Sequence, residues 1–236
     1  MASALIALRK SEKFGKRRVN KNYRCDKMEH KKYIAVAGVS VIVLLFFLFL
    51  DTASKEIKNY PLSGDTVVAF GDSLVMGVGS LREGGFVTLL SERIQKPIIN
   101  LGKAGDTTKD ALGRIGEVVA EDPDVVIILL GGNDALQRIP LEETVQNLET
   151  IIITLQEQGA AVLLLGVQGA LIRDRFGDDF YKLAREQGAL YVPNVLEDVF
   201  RNPQRMFDAI HPNDEGYRII AEGVYPVLVN VLGGAL

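Results

Sequence analysis

The chain of 236 residues contains a single cysteine, Cys25. One thiol closes no intrachain disulfide, and it excludes a metal site built from cysteines. Histidine is almost as scarce, with His30 and His211 the only two, so chemistry that needs an imidazole has few places to reside. Long low-complexity tracts and internal repeats are missing as well. Two nucleotide-binding signatures fail on single residues. Gly77-Val78-Gly79 is followed by Ser80-Leu81-Arg82 and lacks the third glycine of a dinucleotide fingerprint. The stretch from Gly79 to Gly85 follows a phosphate loop only until Phe86, which stands where lysine is required. Gly71-Asp72-Ser73-Leu74-Val75 misses the nucleophile elbow, because Val75 occupies the place of its second glycine.

What is present is divided unevenly along the chain. The formal net charge is −3, yet residues 1–32 carry 11 Lys and Arg against 3 acids, a net +8, and the remainder carries 16 against 27, a net −11. The larger part is therefore acidic and offers no broad basic face to nucleic acid. The basic head runs directly into residues 33–50, YIAVAGVSVIVLLFFLFL, which hold no charge. At ~1.5 Å per residue a helix of that length spans roughly 27 Å, close to the hydrocarbon thickness of a bilayer. A cleaved signal peptide fits less well, since a cut after Ala53 would put Asp51 at the −3 position, and a lipoprotein signal would need a cysteine after the run. The pattern predicts an uncleaved, single-pass signal anchor in the cytoplasmic membrane. Lys and Arg favour the cytoplasmic side, which places the head of residues 1–32 inside and the rest outside. Initiation at Met28 would leave Lys31-Lys32 before the run and give the same topology. Residues 51–64 are polar, contain Pro61 and Gly64, and are expected to be a linker to a domain over residues 65–236.

That domain alternates. Strands are predicted at Thr66–Phe70, Pro97–Asn100, Val125–Leu130, Ala161–Gly166 and Leu190–Val192, each short and rich in Val, Ile or Leu, as for strands buried on both faces. Helical faces are formed by Ala111, Leu112, Ile115, Val118 and Val119, by Val145, Leu148, Ile151, Ile152 and Leu155 ahead of a stop at Gly159, and by Tyr217, Ile220, Ala221, Val224 and Leu228 around Pro226. Strand and helix in turn argue for a parallel sheet with helices on both faces.

Ser73 follows the first strand, at the end of the sheet where open α/β folds place their chemistry. The same turn would serve a plain cap, with Asp72 or Ser73 holding the next helix. A serine nucleophile needs a base. His30 precedes the apolar run, which leaves His211 for the folded domain. Asp208, three residues before it, is within reach of the imidazole Nδ1 in a turn and would hold the tautomer that leaves Nε2 free. Asp208 and His211 would equally cap and staple a helix starting near Asn213-Asp214. Asn133, in Gly131-Gly132-Asn133-Asp134 at the end of the third strand, is a neutral donor suited to an oxyanion or simply part of a turn. Asn100-Leu101-Gly102-Lys103-Ala104-Gly105-Asp106-Thr107 follows the second strand, and its glycines allow close approach of a backbone N–H.

In this order the four segments resemble the blocks of the SGNH (GDSL-type) hydrolase superfamily, and most of all its bacterial thioesterase I, lysophospholipase and arylesterase branch. Gly71-Asp72-Ser73-Leu74 is similar to the first block, Gly105 in Ala104-Gly105-Asp106-Thr107 to the second, Gly131-Gly132-Asn133-Asp134 to the third and Asp208-Ala209-Ile210-His211-Pro212-Asn213 to the last. The resemblance covers about residues 65–232. It implies a flavodoxin-like three-layer α/β sandwich around a five-stranded parallel sheet. It also implies Ser73, Asp208 and His211 as a catalytic triad, and Ser73, Gly105 and Asn133 as the oxyanion hole. Gly102 competes with Gly105, whose register before Asp-Thr favours it. Asp72 would be a structural hydrogen-bonder. Glu121, Asp122, Asp124, Asp178 and Asp179 would be solvated surface. Gly166 to Ile172 matches no block and would border an acyl pocket. The implied activity is hydrolysis of an acyl ester, thioester or lysolipid, needing no metal or organic cofactor. Deacetylation of cell-envelope carbohydrate and an inactive envelope-binding module are the alternatives.

Overall fold

A computed structural model describes residues 56–167 and 175–233. The predicted basic head and apolar run lie outside the described residues, and among those described no helix is long and apolar enough to cross a membrane. Five strands form one sheet: β1 (Val67–Gly71), β2 (Ile98–Gly102), β3 (Val125–Leu129), β4 (Ala161–Leu165) and β5 (Leu190–Val192). All neighbours are parallel and the order is β2-β1-β3-β4-β5. This is the flavodoxin-like order, with its switch point between β1 and β3.

The strand predictions agree within one or two residues. β1, β3 and β4 are buried along their whole length, as their unbroken Val, Ile and Leu runs require. The outer strands β2 and β5 are only partly buried, because each has a neighbour on one side alone.

The helices are α1 (Ser73–Met76), α2 (Gly85–Ile94), α3 (Thr108–Gly113), α4 (Ile115–Val119), α5 (Gly132–Leu136), α6 (Leu141–Glu157), α7 (Arg175–Gln187), α8 (Glu197–Phe200) and α9 (Asp214–Gly233), with a 3-10 turn at Pro203–Arg205. α2 packs with α9 in one layer; α3, α6 and α7 pack in another. Leu148, Ile151, Ile152 and Leu155 of α6 and Tyr217, Ile220, Val224 and Leu228 of α9 are fully buried, so both faces read from the sequence are the faces used. α9 runs through Pro226 as one helix. The helix expected from Ala111 to Val119 is two: it breaks at Arg114, whose φ of −119° and ψ of 18° leave the helical region. Gly113 is a poor helix former, and the Arg114 side chain is held elsewhere, as described below.

Two further sequence expectations need correction. Asp124 is not simply solvated: it accepts from Ser63 Oγ at 2.8 Å and Thr66 N at 3.0 Å. Residues 56–64, the described part of the expected linker, are laid along the domain. Lys58 N donates to Gly188 O at 2.9 Å, and Asn59 Nδ2 donates to Gln156 O and Ala160 O at 2.7 and 2.9 Å.

Candidate active site

β1 ends at Gly71, whose added Cβ would lie 2.2 Å from Leu129 O, so only glycine lets the chain turn there against β3. The turn makes Asp72 the N-cap of α1. Its Oδ1 accepts from Leu74 N at 2.9 Å, while Ser73 opens the helix with its side chain left over for other work. Capping and presentation of Ser73, which the sequence offered as alternatives, are divided between adjacent residues. Asp72 is buried, and burial, opposed by the Leu74 N–H and by His211 and reinforced by Asp106 and Asp134, pushes its carboxyl up to about 7.

His211 arrives from the segment before α9. Phe207 N donates to His211 O at 2.8 Å, and Met206 pairs with Pro212 in an antiparallel bridge, which closes the intervening residues into a tight loop. Within that loop Asp208 Oδ1 accepts from Ile210 N and His211 N, both at 2.8 Å, and Oδ2 lies 2.8 Å from His211 Nδ1. Hydrogen bonding, chiefly from His211 and then from Ile210, holds the Asp208 carboxyl down at about 2. On the other side His211 Nε2 lies 3.1 Å from Ser73 Oγ. Serine, imidazole and carboxylate thus form a continuous line of hydrogen bonds, with Ser73 and His211 brought together from 138 positions apart.

Asn133 sits in the first turn of α5, after β3. Its Nδ2 donates to Asp106 O at 2.9 Å, which ties the third segment to the second, and its side chain borders the same cleft as Ser73 and His211. The two glycines of the second segment differ in kind. A Cβ on Gly102 would lie 2.1 Å from Met76 N, so that glycine is consumed in packing β2 against α1. Gly105 has φ +86° and open space where a side chain would be. Beneath these donors Asp134, fully buried, accepts from Thr108 N at 2.9 Å and Thr108 Oγ1 at 2.5 Å. The cleft wall beyond the polar groups is apolar: Leu74, Leu136, Val167, Leu196, Phe200 and Ile210. Of the stretch from Gly166 to Ile172 that matched no block, Val167 lines the cleft, and residues 168–172 lie outside the described residues.

Three residues to which the sequence assigned no part in the site hold this arrangement. Gly79, at φ +96°, lies directly against the histidine loop: a Cβ there would meet Pro212 O at 2.4 Å and His211 Cβ at 3.2 Å. Asp214, the first residue of α9, accepts from Ser80 Oγ at 2.5 Å and from Arg82 N and Glu83 N at 3.3 Å, and the Ser80 hydroxyl above all draws its carboxyl down to about 2. Tyr217 OH donates to Val78 O at 2.7 Å. The segment after the serine helix is thereby fastened to the start of the helix after the histidine. The failed dinucleotide fingerprint Gly77-Val78-Gly79 contains this contact, and its sequence signal was the glycine spacing itself.

A strand-end serine in line with an imidazole and a carboxylate, at the switch point of a parallel sheet, is the arrangement of a serine-type hydrolase. The chain belongs to the GDSL-like lipase/acylhydrolase family, whose model matches residues 69–219, and it is a carboxylic ester hydrolase. It is 30% identical over 206 residues to an arylesterase of Vibrio mimicus, covering 82% of this chain and 100% of that protein. It is also 30% identical over 169 residues to thioesterase 1/protease 1/lysophospholipase L1 of Escherichia coli K12, covering 68% and 81%. Among solved structures it resembles that of TesA, with a TM-score of 0.67 and 31% identity over 71% of this chain and 100% of the other.

Proposed function

We propose that the domain hydrolyses acyl esters or thioesters, with Ser73 as nucleophile, His211 as general base and Asp208 as the group that orients it. Ser73 Oγ attacks the carbonyl carbon and His211 Nε2 takes its proton. Asp208, ionised throughout the working range, holds Nδ1–H and stabilises the imidazolium. The oxyanion is received by the backbone N–H groups of Ser73 and Gly105 and by the Asn133 amide. His211 then protonates the leaving alcohol or thiol. Water, deprotonated by the same imidazole, releases the acyl group and restores Ser73. The observation that carries this reading is the Ser73–His211–Asp208 line, at 3.1 and 2.8 Å. An inactive binding module would have no need of it.

The arylesterase and the thioesterase/lysophospholipase among the relatives point to aryl esters, acyl thioesters and lysolipids as substrates. The apolar wall of the cleft favours an acyl chain over the acetylated sugar of a carbohydrate deacetylase. The decisive experiment is Ser73→Ala assayed on a nitrophenyl acyl ester. Hydrolysis should fall by at least about 10³-fold, and full retention of activity would remove Ser73 from the mechanism.

The domain further reads as the outer part of a membrane-anchored protein, with residues 33–50 spanning and residues 1–32 cytoplasmic. The length of the uncharged run and the +8 charge before it support this topology.

A further inference from the structure

Arg114 stands at the break between α3 and α4, with only 10% of its side chain exposed. Its guanidinium reaches three separate pieces of chain. Nη2 donates to Gly71 O and to Leu101 O, both at 3.0 Å, the first at the last residue of β1 and the second within β2 beside its end. Nε donates to Asp106 Oδ2 at 2.5 Å, in the loop that carries Gly105. Nη1 lies 3.2 Å from Glu117 Oε2, and the planar head covers the Phe70 ring at 4.5 Å. Gly71 is separated from Ser73 by one residue. Asp106 follows Gly105, and its carbonyl accepts from Asn133 Nδ2. Every group proposed to receive the oxyanion is therefore two or three covalent or hydrogen-bonded steps from a single guanidinium.

We propose that Arg114 is the positioning residue of the oxyanion site: it fixes the Ser73, Gly105 and Asn133 donors relative to one another. The inference rests on the roles proposed above for those three. A rigid fork of five N–H groups suits the task, because it satisfies four carbonyl and carboxylate acceptors at fixed angles while its face stacks on an aromatic ring; an ammonium is a point charge on a flexible stem and cannot. Donors aimed at developing charge contribute only if they are already in place when it develops. Loss of Arg114 should accordingly slow the chemistry at each site and leave the number of reactive serines unchanged.

The test uses the full chain in detergent, with Arg114→Met, Arg114→Lys and Asp106→Ala. Active serines are counted by the end-point release of nitrophenolate from diethyl p-nitrophenyl phosphate, and turnover is measured on p-nitrophenyl acetate. Ser73→Ala should give no stoichiometric release; if it does, the site reading itself fails, whatever Arg114 does. With that control in place, Arg114→Met should keep the full titre while kcat per titrated site falls about tenfold or more, with KM changed by less than about twofold. Arg114→Lys should be intermediate. Asp106→Ala, which keeps the carbonyl that receives Asn133, should reproduce the loss. Combining it with Arg114→Met should add little, because the two act through one tie. A kcat per titrated site within about twofold of the parent in these variants overturns the proposal. So does a loss that appears only as fewer titrated sites, and so do losses that multiply in the double variant.

Discussion

Asp72 is an acid of the site whose protonation is set by exclusion from water. The residue is 3% exposed, and its carboxyl accepts from Leu74 N and faces His211, Asp106 and Asp134. A folded-state value of about 7, above the ordinary range, means that the fold favours the neutral acid. The associated stability is complete below the unfolded value, near ~3.9, and is lost as pH rises through about 7. Asp72→Asn removes that dependence and keeps an oxygen for the Leu74 N–H. The melting temperature of the variant relative to the parent should be higher at pH 8 than at pH 5, by an amount corresponding to a few kcal/mol at most. An offset equal at the two pH values would mean that Asp72 is already ionised in both. Asp208 and Asp214 act in the opposite direction: held down at about 2, they support the fold above the ordinary carboxylate range and cease to do so only in strong acid. At this scale the sequence was readable where chemistry and spacing coincide, as in Asp208 and His211 three residues apart and in the single histidine available to Ser73. It did not reveal the ties made by Arg114 and Asp214, whose partners lie up to 43 and 134 positions away. Such pairings are made by the fold and leave no local pattern.

Among the elements, the connection from α1 to α2 has most influence on the histidine. Gly79 approaches the loop of Phe207 to Pro212 so closely that its Cα hydrogen stands where a side chain would strike a carbonyl. The left-handed φ adds a further penalty for any L residue, about 1–2 kcal/mol. Gly79→Ala should therefore displace His211 from Ser73 and lower kcat about tenfold or more, with a reduced melting temperature, since a misplacement of ~1 Å can reduce catalysis by that much and more. Gly223→Ala is the contrasting case. Gly223 lies in α9 with open space around it and an ordinary helical conformation. Alanine there should raise stability by roughly 0.5–1 kcal/mol without changing kcat. Kinetics and thermal melting on the two variants check both outcomes. The strands and the two long apolar helix faces were legible because burial on two faces, or on one stripe, writes itself into residue type. The division of Ala111–Val119 was not, because its apolar spacing continues through a break that Arg114 makes by turning toward the strand ends.

On the scale of the whole chain, the charge asymmetry defines the topology to be tested. If residues 1–32 are cytoplasmic, Cys25 should resist an impermeant thiol reagent in intact cells and react once the membrane is opened. Ready labelling in intact cells would reverse the orientation. The domain proper was readable in outline from strand-helix alternation. Its lower boundary was not: Asn59 and Lys58 look like linker residues, and their hydrogen bonds to Gln156, Ala160 and Gly188 depend on acceptors more than ninety positions on.

Those bonds also give the domain a polarity. Gly188 and Ala160 lie just before β5 and β4, and Thr66 and Asp124 meet just before β1 and β3, so the chain is fastened across the starting edge of the sheet. Ser73 and Asn133 follow the finishing edges of β1 and β3, with His211 brought up to Ser73, a strand's length of roughly 17 Å away. The handle and the working end are thus at opposite ends of the same five strands. A pull or a bulky group applied at residue 56 would be borne by the strand beginnings, at the end of the sheet away from the mouth that admits substrate.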